Sequence, residues 1–425
     1  MARLLEELRR IRGSVLARNA GWMLASQGLS VVCQGVYFIL LARLLGSAEY
    51  GIYVGVFATV AILSVYSPMG SQFTLIRHVS QDPKDFALYW GNVLITTCTL
   101  GSLFVGLLVW CMPRLTSSYT WPLVLCVALG DCLCGQLTDG CSRVFQAFDK
   151  MRITALLGLL VNLLRTILAG YLLLTLRHAT ARQWVLTTLA VSLLAAFAAL
   201  ALVTWHYGRP TFSVCLLRHN LGEGVVFALS SSTSSVYNNI DKAMLGHYGM
   251  NAANGIYAMA YRVVDIATMP VTSVHAAAFP RFFRKGVSGV SSTVTFALRI
   301  LKRTAPLAII LTLAMSLVAP AIPHVVGKSF SESVLALRWL CLLPVFRSFQ
   351  LSAGDALTGS GHLRTRLGIQ GMAASFNFFI NLFLIPHYGW IGAAWSSLAT
   401  DGLLGVINWV VLLMIRFARP ARRYA

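Results

Sequence analysis

The chain has 425 residues, 57% hydrophobic and only 11% charged, with 34 Lys and Arg against 14 Asp and Glu and a formal net charge of +20. Soluble globular domains carry nearer a quarter charged residues. A mean hydropathy of +0.71, with apolar runs of membrane-crossing length from end to end, marks an all-α polytopic membrane protein. The positive excess lies between those runs, as topology bias places it, so no nucleic-acid partner is expected.

In chain order, Leu4, Leu8, Ile11 and Val15 form one helical stripe opposite Arg9, Arg10 and Arg12. That pattern predicts a short amphipathic helix on the membrane surface, and scattered arginines argue against a cleavable signal. About twelve transmembrane spans follow, at 19–43, 48–70, 86–112, 121–143, 153–176, 183–206, 223–246, 254–280, 305–327, 333–357, 366–386 and 388–415. They divide into an N-lobe over 1–207 and a C-lobe over 223–425, six spans each. A cytoplasmic linker is expected over 208–222, where Gly208, Pro210 and the mildly amphipathic Phe212–Leu217 lie.

Basic residues in alternate loops split about 24 to 6, with Lys242 counted in the poorer set. This places both termini in the cytoplasm and requires an even number of spans. Loops of the poorer set are too short for a catalytic domain. The cysteines lack metal-ligand spacing and read as small hydrophobes.

The two halves echo each other. Ala42-Arg43-Leu44-Leu45-Gly46 with Gly51-Ile52-Tyr53 reappears about 200 residues later as Lys242-Ala243-Met244-Leu245-Gly246 with Gly255-Ile256-Tyr257. Two lobes with the same internal direction are parallel repeats about an axis along the membrane normal. A GxxxG pattern at Gly51–Gly55 reads as a packing or turn element.

Ionisable groups at bilayer depth cost about 2.5–3.5 kcal/mol or more, so they face protein or water. The chain places Asp131, Asp139, Asp265, Asp355 and Asp401 within spans, together with Arg165, Arg262 and Arg347. Ser231, Ser234, Asn238 and Asp241 share one helical face, and Asn377 and Asn381 stand at i,i+4. Substrate-cavity candidates are therefore Arg262, Arg347, Arg165, Ser231, Ser234, Asn238, Asn377 and Asn381. Ion-coupling candidates are Asp265, Asp355, Asp131, Asp139 and Asp241. Structural readings stand beside these. Arg262–Asp265 and Asp139–Arg143 can neutralise one another locally, and the two asparagines can simply bond between helices. Arg347 is singled out because its nearest same-face acid, Asp355, is about 12 Å along the helix.

Asn19-Ala-Gly-Trp22, the Ala42–Gly46 and Tyr50–Tyr53 stretches, Asp241–Gly246, Gly255-Ile256-Tyr257 with Arg262, and Phe279-Pro280 occur in that order. Asn377, Asn381, Leu384-Ile385-Pro386, Tyr388-Gly389 and Gly392-Ala393-Ala394 complete the series. Across nearly the whole chain this resembles bacterial polysaccharide and O-antigen flippases of the multidrug/oligosaccharidyl-lipid/polysaccharide exporter superfamily. The resemblance implies a MATE-like, V-shaped pair of six-helix lobes in the bacterial cytoplasmic membrane, working by alternating access. It also implies an undecaprenyl-diphosphate-linked oligosaccharide as substrate, membrane lipid and other polysaccharide assembly proteins as partners, and no enzymatic activity. No cofactor or metal is expected, whereas coupling to a proton or sodium gradient is. The alternative is an ion-coupled multidrug or small-molecule exporter of the same superfamily, but span one lacks the early carboxylate usual there. A lipid-linked peptidoglycan precursor flippase typically has fourteen spans, and a membrane glycosyltransferase needs a longer outer loop.

Overall fold

The computed structural model describes residues 15–116, 118–176, 178–212 and 214–418, with side chains described except at 15–27, 214–221, 223, 226, 227, 230, 231 and 234. The amphipathic stretch expected before the first span lies outside the described residues, apart from the helical backbone from Val15.

Hydrocarbon offers backbone N–H and C=O groups no partner, so an apolar chain satisfies them within helices. The result is a series of long helices. These are α1 Val15–Ser64, α2 Ser71–Val79, α3 Phe86–Leu115, α4 Trp121–Ala147, α5 Met151–Leu176 and α6 Ala181–Tyr207. They continue as α7 Val214–His247, α8 Asn251–Gly286, α9 Val290–Val326, α10 Ser333–Gly359, α11 Leu363–Tyr388 and α12 Trp390–Ala418. Among the described residues nine helices are long and apolar enough to cross a membrane. One of these, α1, contains two rods separated by Gly46, whose φ of 70° lies in the left-handed region that glycine adopts without strain. The polar α7 and α8 are equally long but less apolar, so twelve rods stand where the sequence predicts about twelve spans.

Local chemistry sets several breaks. Thr180 and Gln183 form a reciprocal capping box that starts α6. Met69 and Gly70 both take positive φ and separate α1 from α2. Gly389, with φ 55°, turns α11 into α12 where the expected spans 366–386 and 388–415 abut. Two boundaries differ most from the sequence reading. Helix α9 begins at Val290, well before 305, because Lys302 and Arg303 are exposed and do not interrupt a helix that extends past the apolar run. Helix α7 starts at Val214, so the second half of the expected linker is helical.

The chain forms two compact units. Unit 1 comprises the chain up to Leu45 together with Val56–Ser235. Unit 2 comprises Gly46–Gly55 together with the chain from Val236. The division along the chain therefore falls inside α7 rather than at 208–222. Residues 46–55 belong to unit 2 because the echoed motifs meet there: a Cβ on Gly51 would lie 1.7 Å from the Asn251 carbonyl oxygen, and one on Gly255 would lie 2.0 Å from that of Ser47. Asn254 fastens the crossing by donating to the carbonyls of Gly51 and Lys242, each at 3.0 Å.

Unit 1 packs Leu75, Phe86, Trp90, Val144 and Phe145 into its core, with Phe148 stacked on Tyr207 at 4.0 Å. Unit 2 packs Phe282, Phe296, Ile300, Leu357, Trp409 and Leu412. Packing of this kind, with interhelical hydrogen bonds, holds helices together where lipid removes the hydrophobic drive between them.

Candidate functional site

Helical spacing assembles a polar cluster inside unit 2. On α8, Tyr257, Tyr261 and Asp265 recur every four residues and line one stripe. Tyr237 and Asp241 on α7 and Ser397 and Asp401 on α12 have the same spacing, while Arg347 and Gln350 on α10 are three apart. Each helix therefore presents a pair or triplet of polar groups to one region.

The bonds there are specific. Arg347 Nη1 meets Asp265 Oδ1 at 3.1 Å, and its Nη2 donates to the Tyr261 hydroxyl at 3.2 Å. Lys242 Nζ lies 4.0 Å from the Tyr261 ring centroid and donates to the Asn238 carbonyl at 2.6 Å. It also stands 3.4 Å from Asp241 Oδ1. Asp241 accepts from the Lys242 backbone N–H at 2.8 Å, from the Tyr257 hydroxyl and from Ser397. Asp401 accepts from the Tyr237 hydroxyl and from Gln350 at 3.0 Å. Arg262 lies within the electrostatic reach of Asp265. With all six groups ionised, Asp241, Asp265 and Asp401 balance Lys242, Arg262 and Arg347. The chemistry offered is a neutral, internally paired cluster in which Lys242 and Arg347 sit against the Tyr261 ring, rather than a bare cationic cavity.

A second cluster of unit 2 is more enclosed. Asp355 accepts from Arg366 at 3.2 Å and from His275 Nδ1 at 3.1 Å, and Arg366 also donates to Thr358 at 2.8 Å. In unit 1, Asp131 lies on a seven-residue π-helical segment, Leu129–Gly135, within α4. Such segments recur at functional positions because they re-aim side chains. Asp131 is half-buried and interacts with Ser64 and Arg165.

The family described as polysaccharide biosynthesis protein matches residues 16–285. The chain belongs to that family. An uncharacterised membrane protein of Methanocaldococcus jannaschii is 26% identical over 195 residues, 44% of this chain. The match spans only 37% of that relative's length. A multidrug resistance MATE family transporter of the MOP superfamily, solved in an inward-facing conformation, superposes with a TM-score of 0.71 at 16% identity, covering 92% of this chain and 96% of that one. A MOP superfamily transporter from Pyrococcus furiosus, described as having a binding pocket of reverse polarity, gives 0.61 at 14% identity over 95% and 96%. These likenesses establish a MATE-like fold for this polysaccharide biosynthesis family member, an all-α, multi-pass membrane protein.

The structure brings Arg262, Arg347, Asp265 and Asp241 into one cluster, with the exposed Asn238 contributing its carbonyl. The side chains of Ser231 and Ser234 lie outside the described residues. Asn377 and Asn381 are buried and occupied: Asn377 donates to Thr400, Asn381 donates to Asn377, and Asn381 accepts from Ser396. This is the interhelical bonding that the sequence left open beside a cavity role. Arg165 bonds Ser192 at 3.2 Å, while Asn162, beside it on α5, bonds Ser30. Asp139 pairs with Arg143 at 3.6 Å, i,i+4, on the wall of a pocket of about 190 Å³ in unit 1.

Two sequence inferences are corrected. Arg347 has an acid beside it, Asp265 of α8, because the pairing runs between helices and same-helix spacing does not reveal it. Lys242, counted with a loop, is buried within α7 beside Asp241. Sequence reasoning also passed over Tyr237, Tyr257, Tyr261 and His275 as chemistry, and the half-buried Arg366 as a partner of Asp355. The four-residue period linking Tyr257, Tyr261 and Asp265 was the available signal.

Proposed function

We propose that the protein is a lipid-linked oligosaccharide flippase, moving an undecaprenyl-diphosphate-linked glycan from the cytoplasmic to the periplasmic leaflet of a bacterial cytoplasmic membrane for surface polysaccharide biosynthesis. The observation that carries this reading is the Arg347–Tyr261–Lys242 arrangement among the helices of unit 2, in a chain of the polysaccharide biosynthesis family. A sugar–diphosphate head cannot cross hydrocarbon unaided, whereas its polyprenyl tail stays in lipid. A guanidinium binds phosphate oxygens through its planar fork, and hydroxyl and amide side chains suit sugar hydroxyls. Alternating access moves the head between leaflets, and a proton or sodium gradient acting through the embedded carboxylates drives the cycle. Membrane lipid and other polysaccharide assembly proteins are its partners.

The test is reconstitution in proteoliposomes with a lipid-diphosphate-linked oligosaccharide and a membrane-impermeant probe of the outer leaflet. Flipping that needs the protein and falls at least tenfold in Arg347→Gln supports the reading. Transport of cationic dyes with no movement of the lipid-linked sugar would replace it with small-molecule export. A rate unaffected by dissipating either gradient would remove the coupling.

A further inference from the structure

We propose that Asp265 acts as an internal competitor for the diphosphate at Arg347, and so as a specificity-determining residue; the inference rests on the diphosphate reading above. Of the three carboxylates in the unit 2 cluster, Asp265 is placed to leave. Asp241 and Asp401 are almost completely buried, and each is held by donors from at least two helices. The Asp265 side chain is 37% exposed and bonds Arg347, whose own side chain is 15% exposed. Releasing Asp241 or Asp401 would leave donors unpaired in a desolvated setting, which is costly. A released Asp265, already partly exposed, leaves no such set of donors behind.

Asp265 also has somewhere to go. Arg262 is three residues earlier on α8, a spacing at which side chains meet, and already interacts with it. Exchange of Asp265 from Arg347 to Arg262 therefore leaves no carboxylate uncompensated. Arg347 stays positioned meanwhile, because its Nη2 remains on the Tyr261 hydroxyl. The freed Nη1 then faces a ligand with the Lys242 ammonium close by on the same tyrosine.

This arrangement separates ligands by charge. A monoanion merely replaces one carboxylate charge with another and gains little over the tethered competitor, whose effective concentration is high. A diphosphate brings further charge into the field of Lys242 as well as Arg347, and so displaces Asp265 where a monoanion does not. Ordinary anions are kept out of a site that must still accept a pyrophosphate-linked lipid.

The experiment is binding of inorganic pyrophosphate and of inorganic phosphate to the full-length protein in detergent, by calorimetry, with Asp265→Asn, Asp265→Ser, Asp265→Glu and Arg347→Gln beside the wild type. Removing the competitor should tighten pyrophosphate about five- to tenfold in Asp265→Asn and Asp265→Ser, and phosphate by at least as much, since the competent fraction of Arg347 rises. Asp265→Glu keeps the competitor and should bind as the wild type does. Arg347→Gln should lose binding. Loss in Arg347→Gln without tightening in either neutral variant overturns the competitor while leaving the diphosphate site intact. Wild-type binding in Arg347→Gln removes Arg347 from the site and overturns both.

Discussion

Lys242 and Arg347 converge on one tyrosine from different helices: the Lys242 ammonium lies 4.0 Å from the ring centroid of Tyr261, and Arg347 donates to its hydroxyl at 3.2 Å. The ring and the hydroxyl do separable work. Tyr261→Phe keeps the ring under Lys242 and deletes only the acceptor for Arg347. It should cost about 1 kcal/mol of stability and lower the flipping rate severalfold. Tyr261→Ala also removes a buried ring and its cation contact, worth about 3–5 kcal/mol together. Thermal unfolding of the purified variants, followed by tryptophan fluorescence, should rank them in that order, and equal losses would contradict the division.

Asp355 is the shared acceptor of Arg366 and His275. Removing one member of a buried ionic group leaves the others uncompensated, typically at about 3–5 kcal/mol. Asp355→Ala should therefore be the most damaging change in this cluster. Arg366→Ala should cost less, because the Arg366 side chain is more exposed than Asp355 and leaves the carboxylate with His275. The double variant should be less destabilised than the sum of the two singles, measured as a double-mutant cycle in detergent. Additivity would show that the two groups do not support one another.

The asparagines of α11 lie in a chain of bonds running Asn381 to Asn377 to Thr400, with Ser396 closing onto Asn381. Interhelical bonds of this kind average about 0.6 kcal/mol in membrane proteins, with a maximum of about 1.7. Asn381→Leu breaks its bonds with Asn377 and Ser396 and should lower the unfolding temperature by a few degrees. Flipping per folded molecule should stay near the wild-type rate, in contrast to Arg347→Gln. A fall in rate as deep as that of Arg347→Gln, at normal protein yield, would return Asn381 to the substrate path.

The architecture was legible in the sequence because it depends on one-dimensional signals. Apolar run length gave the helices, the abutting spans 366–386 and 388–415 gave the turn between α11 and α12, and the Gly-Ile-Tyr echo located the segments that meet at Gly51 and Gly255. The site was less legible because its pairings run between helices. Spacing along α10 offers Arg347 only Asp355, whereas the fold brings in Asp265 from α8. Lys242 was hidden for a related reason: near the end of a span, a lysine that faces a carboxylate and a tyrosine ring looks the same in sequence as one facing water. The start of α9 at Val290 was missed because hydropathy reports where lipid begins, and a helix continues beyond that point.

The crossing at Gly51 gives a sharp steric prediction. Any Cβ on Gly51 would sit 1.7 Å from the Asn251 carbonyl oxygen and 2.7 Å from the Gly255 backbone nitrogen. Both obstacles are main chain within a helical region, so no side-chain rotation relieves the clash. Separating the segments would also lengthen the bond from Asn254 to the Gly51 carbonyl. Gly51→Ala should thus destabilise unit 2 by several kcal/mol (about 3 or more), and Gly51→Val should abolish stable folding. Gly106 and Gly158, also helical, have nothing within 4 Å of an added Cβ. Alanine there should be neutral or stabilising by up to about 1 kcal/mol through helix propensity. Yield and unfolding temperature of the three alanine variants in parallel decide the matter. A Gly51→Ala protein as stable as Gly106→Ala would mean that the segments do not approach this closely.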